Sequence, residues 1–114
     1  MKATIWHNPR CSKSRQALAV LEEKPGVEVE IIEYLKTPPT RGQIEAVLKK
    51  AGVTPSQAVR KGEAAVKEIG LDTADDAAVL DAMAAHPILI ERPIVITDKG
   101  AIIARPPEKA NDVL

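Results

Sequence analysis

The chain's single cysteine, Cys11, lies in the segment HNPRCSKSR, directly behind the first apolar run of the sequence. If the first strand ends near His7 and a helix starts near Ser12, the sulfur lies beside backbone N–H groups that the helix leaves unpaired. These groups carry partial positive charge and bind anions, and a thiolate is an anion. We therefore expect the pKa of Cys11 to be lowered, so that a nucleophilic thiolate is present at neutral pH.

The residues around the cysteine support a reactive thiol. Arg10, Lys13 and Arg15 add positive charge, and the hydroxyl of Ser14 is placed to donate a hydrogen bond to the sulfur. His7 is a further candidate for tuning the thiol, although a histidine at a strand end is more often a plain hydrogen-bonding partner. The alternative is an inert, buried thiol, because lone cysteines commonly serve as small core residues. The polar neighbours favour the reactive thiol.

The composition indicates neither a nucleic-acid partner nor a membrane partner. The 114 residues include 16 basic and 16 acidic side chains, which gives no net charge. The first residues reach polar groups too soon for a signal peptide, so we expect none, and no apolar run approaches the roughly 20 residues that span a bilayer. We predict a cytoplasmic protein. One cysteine excludes an internal disulfide, and His7 and His86 are poor material for a metal site, so we expect no metal and no bound cofactor.

The chain begins with a strand–helix–strand pattern. Residues 2–7 are predicted to form a short strand, and SRQALAVLEE places Ala17, Leu18, Val20 and Leu21 on one helical face. Residues 27–31 then alternate apolar and acidic side chains, as a strand does. Short connections between these elements predict a βαβ unit with parallel strands.

Residues 40–85 read as a helical block. Thr40 and Gln43 have the spacing of a capping box ahead of a helix that ends at Gly52. Thr54 and the proline after it repeat the start signal and predict a short turn. A further helix is expected from Asp72 or Thr73 to Ala85.

The end of the chain returns to strands. PIVIT and AIIAR are β-branched runs joined by DKG, a turn with glycine where φ can be positive, and PPEKANDVL predicts a short closing helix. Together the elements predict one α/β domain over residues 1–114. Its architecture is a mixed four-stranded sheet of the thioredoxin-like type with the helical block as an insertion.

At the level of motifs, the sequence resembles the glutaredoxin-dependent arsenate reductase family, within the superfamily that includes Spx. HNPRCSKSR is similar to the N-terminal motif of that family, N-P-x-C-x-x-S-R. YLKTPPTR is similar to its proline-rich connection, HPILIERPIVIT to its C-terminal signature, and ARPPE fits as well. The resemblance implies a thioredoxin-like fold with a helical insertion, which agrees with the reading of the elements.

The resemblance also implies roles for individual residues. Cys11 matches the nucleophile, and Arg60, Arg92 and Arg105 match the arginines that bind the oxyanion. Arginine suits this task because its charged fork can pair two oxygens of a tetrahedral anion at once. Pro93 matches a proline whose peptide bond is cis.

The activity implied is the reduction of arsenate to arsenite. Cys11 would form a thiol–arsenate adduct, and glutathione as co-substrate and glutaredoxin as partner would resolve it, because the chain has no second cysteine. We expect a monomer.

Two alternatives remain open at this stage. One is a glutathione-dependent thiol or disulfide reductase on the same scaffold, which needs no cradle of three arginines. The other is an Spx-like regulatory protein that binds RNA polymerase. Redox-sensing members of that group generally use Cys-x-x-Cys, whereas here Ser14 stands at the second position.

Overall fold

In the computed structural model, which describes residues 1–114, four strands form one mixed sheet in the order β2-β1-β3-β4. The strands are β1 (Lys2–Trp6), β2 (Glu28–Ile32), β3 (Ile94–Thr97) and β4 (Gly100–Ile103). The pair β1 and β2 is parallel, whereas β3 is antiparallel to both β1 and β4. This arrangement confirms the predicted mixed four-stranded sheet.

The sheet belongs to a compact unit made of residues 1–37 and 92–114. Helix α1 (Ser12–Glu22) and a 3-10 helix (Pro107–Val113) pack with it, and the 3-10 helix is the predicted closing helix. Gly100 follows the turn between β3 and β4 with a φ of 152°, which agrees with the expected positive value. Apolar side chains from these elements form one core: Ala3, Ile5, Ala17, Leu21, Val95, Ala104, Ala110 and Val113.

Residues 38–91 form a second compact unit, which is helical. It contains α2 (Arg41–Ala51), α3 (Pro55–Ala58), α4 (Ala64–Glu68), α5 (Asp76–Ala85) and a 3-10 turn (Pro87–Leu89). Both predicted start signals are real, because Thr40 and Thr54 each form a complete capping box with the glutamine three positions on. The helical insertion is thus present, and the single domain over residues 1–114 stays a prediction.

Two details of the helical unit differ from the sequence prediction. Helix α5 begins at Asp76 rather than at Asp72 or Thr73, because the Asp72 carboxylate accepts the N–H of Ala74 in a turn and Asp75 caps the helix. Helix α4 was not predicted, since its five residues include no buried side chain and no side-chain cap. None of the helices has the length and apolar character needed to cross a membrane.

Candidate active site

The loop between β1 and α1 is organised by Asn8, whose side chain is buried. The backbone carbonyl oxygen of Asn8 accepts the N–H of Cys11 at 3.0 Å, and its side-chain Oδ1 accepts the N–H of Arg10 at 3.0 Å. Asparagine suits such a turn because its side chain can bond the backbone two residues on. We did not single out Asn8 from the sequence, although it stands in the motif around the cysteine. An asparagine between a predicted strand and a predicted helix start is the sequence pattern that would have indicated this turn.

This turn makes Cys11 the N-cap residue of α1, with an extended backbone at φ −92° and ψ 121°. The predicted position at the helix start is therefore observed. The thiol is only partly buried.

The environment of the sulfur favours the thiolate. Partial burial raises the pKa of the Cys11 thiol, but hydrogen bonds from the backbone N–H of Ser14, the side chain of Arg92 and the backbone N–H of Lys13 lower it. The positive charge of Arg92 acts in the same direction, and the net result is a pKa below the ordinary value. Helix N–H groups and a cation are the two features that generally lower cysteine pKa values.

Ser14 acts on the sulfur in a different way from the one expected. Its hydroxyl oxygen accepts the N–H of Asn8 at 3.0 Å and shares a hydrogen bond of 2.7 Å with Nδ1 of His7. The side chain is fully buried. Because the hydroxyl is engaged there, the contact of Ser14 with the sulfur is made by its backbone N–H.

His7 lies beneath the loop rather than at its surface, with 5% of the residue exposed. Burial lowers the pKa of the imidazole, with Arg15 adding to the effect, while Glu33 and Glu22 oppose it. The ring is therefore favoured in its neutral form. No contact of His7 with the sulfur is observed, so its link to Cys11 runs through Ser14.

The sheet brings Arg92 to the cysteine loop. Ile94, at the start of β3, pairs with Trp6, at the end of β1, so the residues before β3 lie beside the loop that follows β1. Arg92 stands two positions before β3, and its side chain is hydrogen-bonded to Cys11. The peptide bond between Arg92 and Pro93 is cis, the geometry that the resemblance implied.

Arg105 is held at the same end of the hairpin. Ile94, at the start of β3, pairs with Ile103, at the end of β4. Arg105, two positions after β4, therefore comes close to Arg92, two positions before β3. Nη1 of Arg105 donates to the backbone carbonyl of Arg92 at 3.2 Å, while the side chain stays exposed. Cys11, Arg92 and Arg105 are thus brought together within one compact unit.

Arg60 lies in the helical unit. Its backbone N–H donates to the carbonyl of Leu89 at 2.8 Å, and its Nε lies 3.6 Å from Oε1 of Glu63. Its Nη1 is buried and has no hydrogen-bond partner. A buried guanidinium nitrogen in this state lacks part of the compensation that its desolvation requires.

The chemical capacity of the site follows from these contacts. A thiolate at a helix N-terminus supplies a nucleophile, and backbone N–H groups with an arginine supply donors for a negatively charged group beside it. No cluster of three or more histidine, cysteine, aspartate or glutamate side chains able to hold a metal ion is present.

Comparisons with known proteins agree on one family. The model of the ArsC family matches residues 6–113. An arsenate reductase of Rhizobium meliloti (strain 1021) is 43% identical, over 100% of this chain and 82% of that protein. An arsenate reductase of Neisseria meningitidis (serogroup A / serotype 4A, strain DSM 15465 / Z2491) is also 43% identical, over 96% of each chain. The solved structure of the arsenate reductase from Vibrio cholerae has a TM-score of 0.90 at 39% identity, covering 100% of this chain and 98% of that one.

Proposed function

The chain belongs to the ArsC family, and on this basis we propose that it reduces arsenate to arsenite with Cys11 as the nucleophile. The observation that carries the proposal is the Cys11 sulfur, which receives hydrogen bonds from the start of α1 and from Arg92. An anionic nucleophile and donors for an oxyanion are what attack on arsenic(V) requires.

In the first step, the Cys11 thiolate attacks the arsenic atom and forms a sulfur–arsenic bond. The hydroxyl group of the arsenate dianion takes up a proton and leaves as water. Arg92 is placed to neutralise the negative charge on the remaining oxygens, because its guanidinium already contacts the sulfur to which they become linked. Holding sulfur and oxyanion together supplies proximity as well as charge stabilisation.

Arg105 and Arg60 are proposed to complete the oxyanion site. Arg105 is anchored on the Arg92 carbonyl, which restricts where its guanidinium can lie. Arg60 carries a buried Nη1 without a partner, as expected of a guanidinium whose partner is an anionic substrate. Two oxygens of the arsenate dianion would accept the hydrogen bonds that the Arg60 guanidinium can donate.

The reduction needs two electrons, and two thiols supply them. We propose that glutathione attacks the Cys11 adduct and that glutaredoxin resolves the resulting mixed species. Glutathione bonds to the arsenic and displaces a hydroxyl group as water, and the glutaredoxin thiolate then attacks the glutathione sulfur. A glutathione–glutaredoxin disulfide forms, and the electron pair of the broken sulfur–arsenic bond stays on arsenic, which becomes arsenic(III). Water then cleaves the Cys11–arsenic bond, which releases arsenite and regenerates the Cys11 thiol. We also propose that the protein acts in the cytoplasm as a monomer, since the site needs no residue from a second copy in this account.

His7, Ser14 and Pro93 support the site in this proposal. Ser14 supplies a backbone donor to the thiolate, and His7 holds the Ser14 hydroxyl. Pro93 lies between Arg92 and the start of β3.

The test is arsenite formation from arsenate in the presence of glutathione, glutaredoxin and an NADPH-coupled reductase. Wild-type protein should be active and Cys11→Ser inactive, because serine lacks the nucleophilic thiolate. Ser12→Ala is the matched control, since it removes an exposed hydroxyl from the next residue. Arsenite production by Cys11→Ser would refute the mechanism. If the wild type shows no arsenate turnover but reduces glutathione mixed disulfides, the protein is instead a thiol reductase.

A further inference from the structure

A surface pocket of about 200 Å³ lies on the side of the loop that precedes Cys11. Its walls are residues 7–10 from the loop after β1 and Glu33, Leu35 and Lys36 from the loop after β2. Complete small-molecule sites usually measure about 300–1,000 Å³, so this pocket has room for one end of a larger ligand. The oxyanion chemistry described above makes no use of it.

The pocket combines apolar surface with charges of both signs. Pro9 and Leu35 are apolar, and Leu35 is 40% exposed although it is a large hydrophobic residue. Arg10 is exposed, and its one hydrogen bond is made by its backbone N–H, so its guanidinium is free to bind a carboxylate. Glu33 and Lys36 form an exposed ion pair of 3.5 Å. Such a pair contributes little stability and can exchange its partners for those of a ligand.

The pocket lies close to the nucleophile along the chain. Arg10 directly precedes Cys11, so the two Cα atoms are about 3.8 Å apart. Asn8, in the pocket wall, accepts the N–H of Cys11. The pocket wall therefore extends to the residue directly before the nucleophile.

We propose that this pocket binds the γ-glutamyl end of glutathione, with Arg10 on its carboxylate and Glu33 on its ammonium group. That end is the part of the tripeptide that carries both charges, and its methylenes would lie on Pro9 and Leu35. The glycyl end carries only a carboxylate, which Glu33 would repel. The inference rests on the proposed function for the choice of glutathione as the thiol.

Disulfide exchange tests the pocket without arsenate. The Cys11 thiolate attacks one sulfur of oxidised glutathione, a mixed disulfide forms, and one glutathione thiolate leaves, so no other oxidant is needed. The rate of mixed-disulfide formation is followed by mass spectrometry for three disulfides. These are oxidised glutathione, oxidised γ-glutamylcysteine, which lacks the glycine, and hydroxyethyl disulfide, which has no charge.

Arg10→Gln and Glu33→Gln should each slow the reactions of both γ-glutamyl disulfides by about two- to five-fold, the range expected for the loss of an exposed ion pair. Glu33→Gln should leave the rate with hydroxyethyl disulfide unchanged, and Arg10→Gln should slow that reaction less than it slows the reactions of the γ-glutamyl disulfides. Lys109→Gln, which removes an exposed charge that does not line the pocket, is the control. Glu33→Gln is the decisive variant, because removing a negative charge should speed up the attack on anionic disulfides if only the overall field matters.

The proposal is overturned if Glu33→Gln accelerates the reaction with oxidised glutathione. It is also overturned if the two substitutions slow the reaction with hydroxyethyl disulfide as much as the reaction with oxidised glutathione, or if they do not slow the reaction with oxidised γ-glutamylcysteine. Lack of reaction between Cys11 and oxidised glutathione would overturn it as well. Because the disulfide-exchange assay contains no arsenate, its result does not depend on whether the protein reduces arsenate in the earlier test. Slowing that is greater for the γ-glutamyl disulfides supports the pocket in either case.

Discussion

Replacing Arg92 with glutamine tests whether this residue activates the nucleophile. The Arg92 side chain is hydrogen-bonded to the Cys11 sulfur, and its charge also stabilises the thiolate. Glutamine removes the charge and, because its side chain is shorter than that of arginine, also removes the hydrogen bond to the sulfur. The pKa of Cys11 should therefore rise, so that less thiolate is present at neutral pH.

The effect on turnover can be estimated from the contact. Hydrogen bonds to charged groups contribute about 1.5–3 kcal/mol. At 1.36 kcal/mol for each factor of ten in rate, losing one such bond lowers kcat/KM for arsenate by about ten- to 150-fold. The upper part of the range applies if Arg92 also binds the arsenate oxygens, because a second bond is then lost. Arg92→Lys should fall between the wild type and Arg92→Gln, since it keeps the charge but not the planar fork.

Two assays separate activation of the thiol from binding of the substrate. The pH dependence of Cys11 alkylation by iodoacetamide reports the thiolate alone, and its midpoint should move to higher pH in Arg92→Gln with the same rate at alkaline pH. The steady-state rate of arsenite formation reports both effects. Arg41→Gln is the control for loss of an arginine, because the Arg41 guanidinium is engaged by Asp81 and Glu45. An unchanged alkylation profile in Arg92→Gln would refute the assigned role of Arg92.

Three further substitutions test the loop and the helical unit. Burial lowers the pKa of His7, so below pH 6.5 the unfolded chain binds a proton that the folded chain does not. The free energy of unfolding should then fall as pH drops from 6.5 to the folded-state pKa, by at most about 1.4 kcal/mol per pH unit. Urea titrations should show a smaller fall in His7→Gln than in the wild type, and equal profiles for the two proteins would contradict this. Asn8→Ala removes the acceptor of the Arg10 N–H and should slow alkylation of the cysteine at neutral pH, whereas Asn8→Asp keeps the acceptor and should restore part of the rate; equal loss in both would argue against the turn. Leu48→Ala, which empties a fully buried position in α2, should cost about 2–5 kcal/mol in chemical denaturation, and a smaller loss would mean that the helical unit collapses around the gap.

Local signals explain why much of the fold was predictable from the sequence. The capping boxes at Thr40 and Thr54, the glycine that ends α2, and the β-branched hairpin all depend on residues a few positions apart. The position of Cys11 at the start of α1 is also local, since a strand and a helix flank it. The start of α5 was misplaced because several residues near Asp72 can act as a helix start, and only the hydrogen bonds show that Asp75 does so.

The site was less predictable because its contacts join distant parts of the chain. Motif resemblance indicated Arg92, but its bond to Cys11 follows from the register between β1 and β3, which no local pattern fixes. The hydroxyl of Ser14 has the right spacing to reach the sulfur along the helix. It bonds His7 and Asn8 instead, because the preceding strand passes beneath the first helical turn.

The position of Ser14 bears on why the protein uses a single cysteine. A second thiol three residues after Cys11 would have to face the first one to form a disulfide. Position 14 is fully buried, and its hydroxyl is engaged by His7 and by the backbone N–H of Asn8. Its contribution to the sulfur is a backbone N–H, which any residue except proline would supply there. Position 14 thus stabilises the turn that holds the thiolate. A thiol that approaches Cys11 from the solvent therefore has no second cysteine of this loop to compete with. This division of labour agrees with the proposed use of glutathione and glutaredoxin as external thiols.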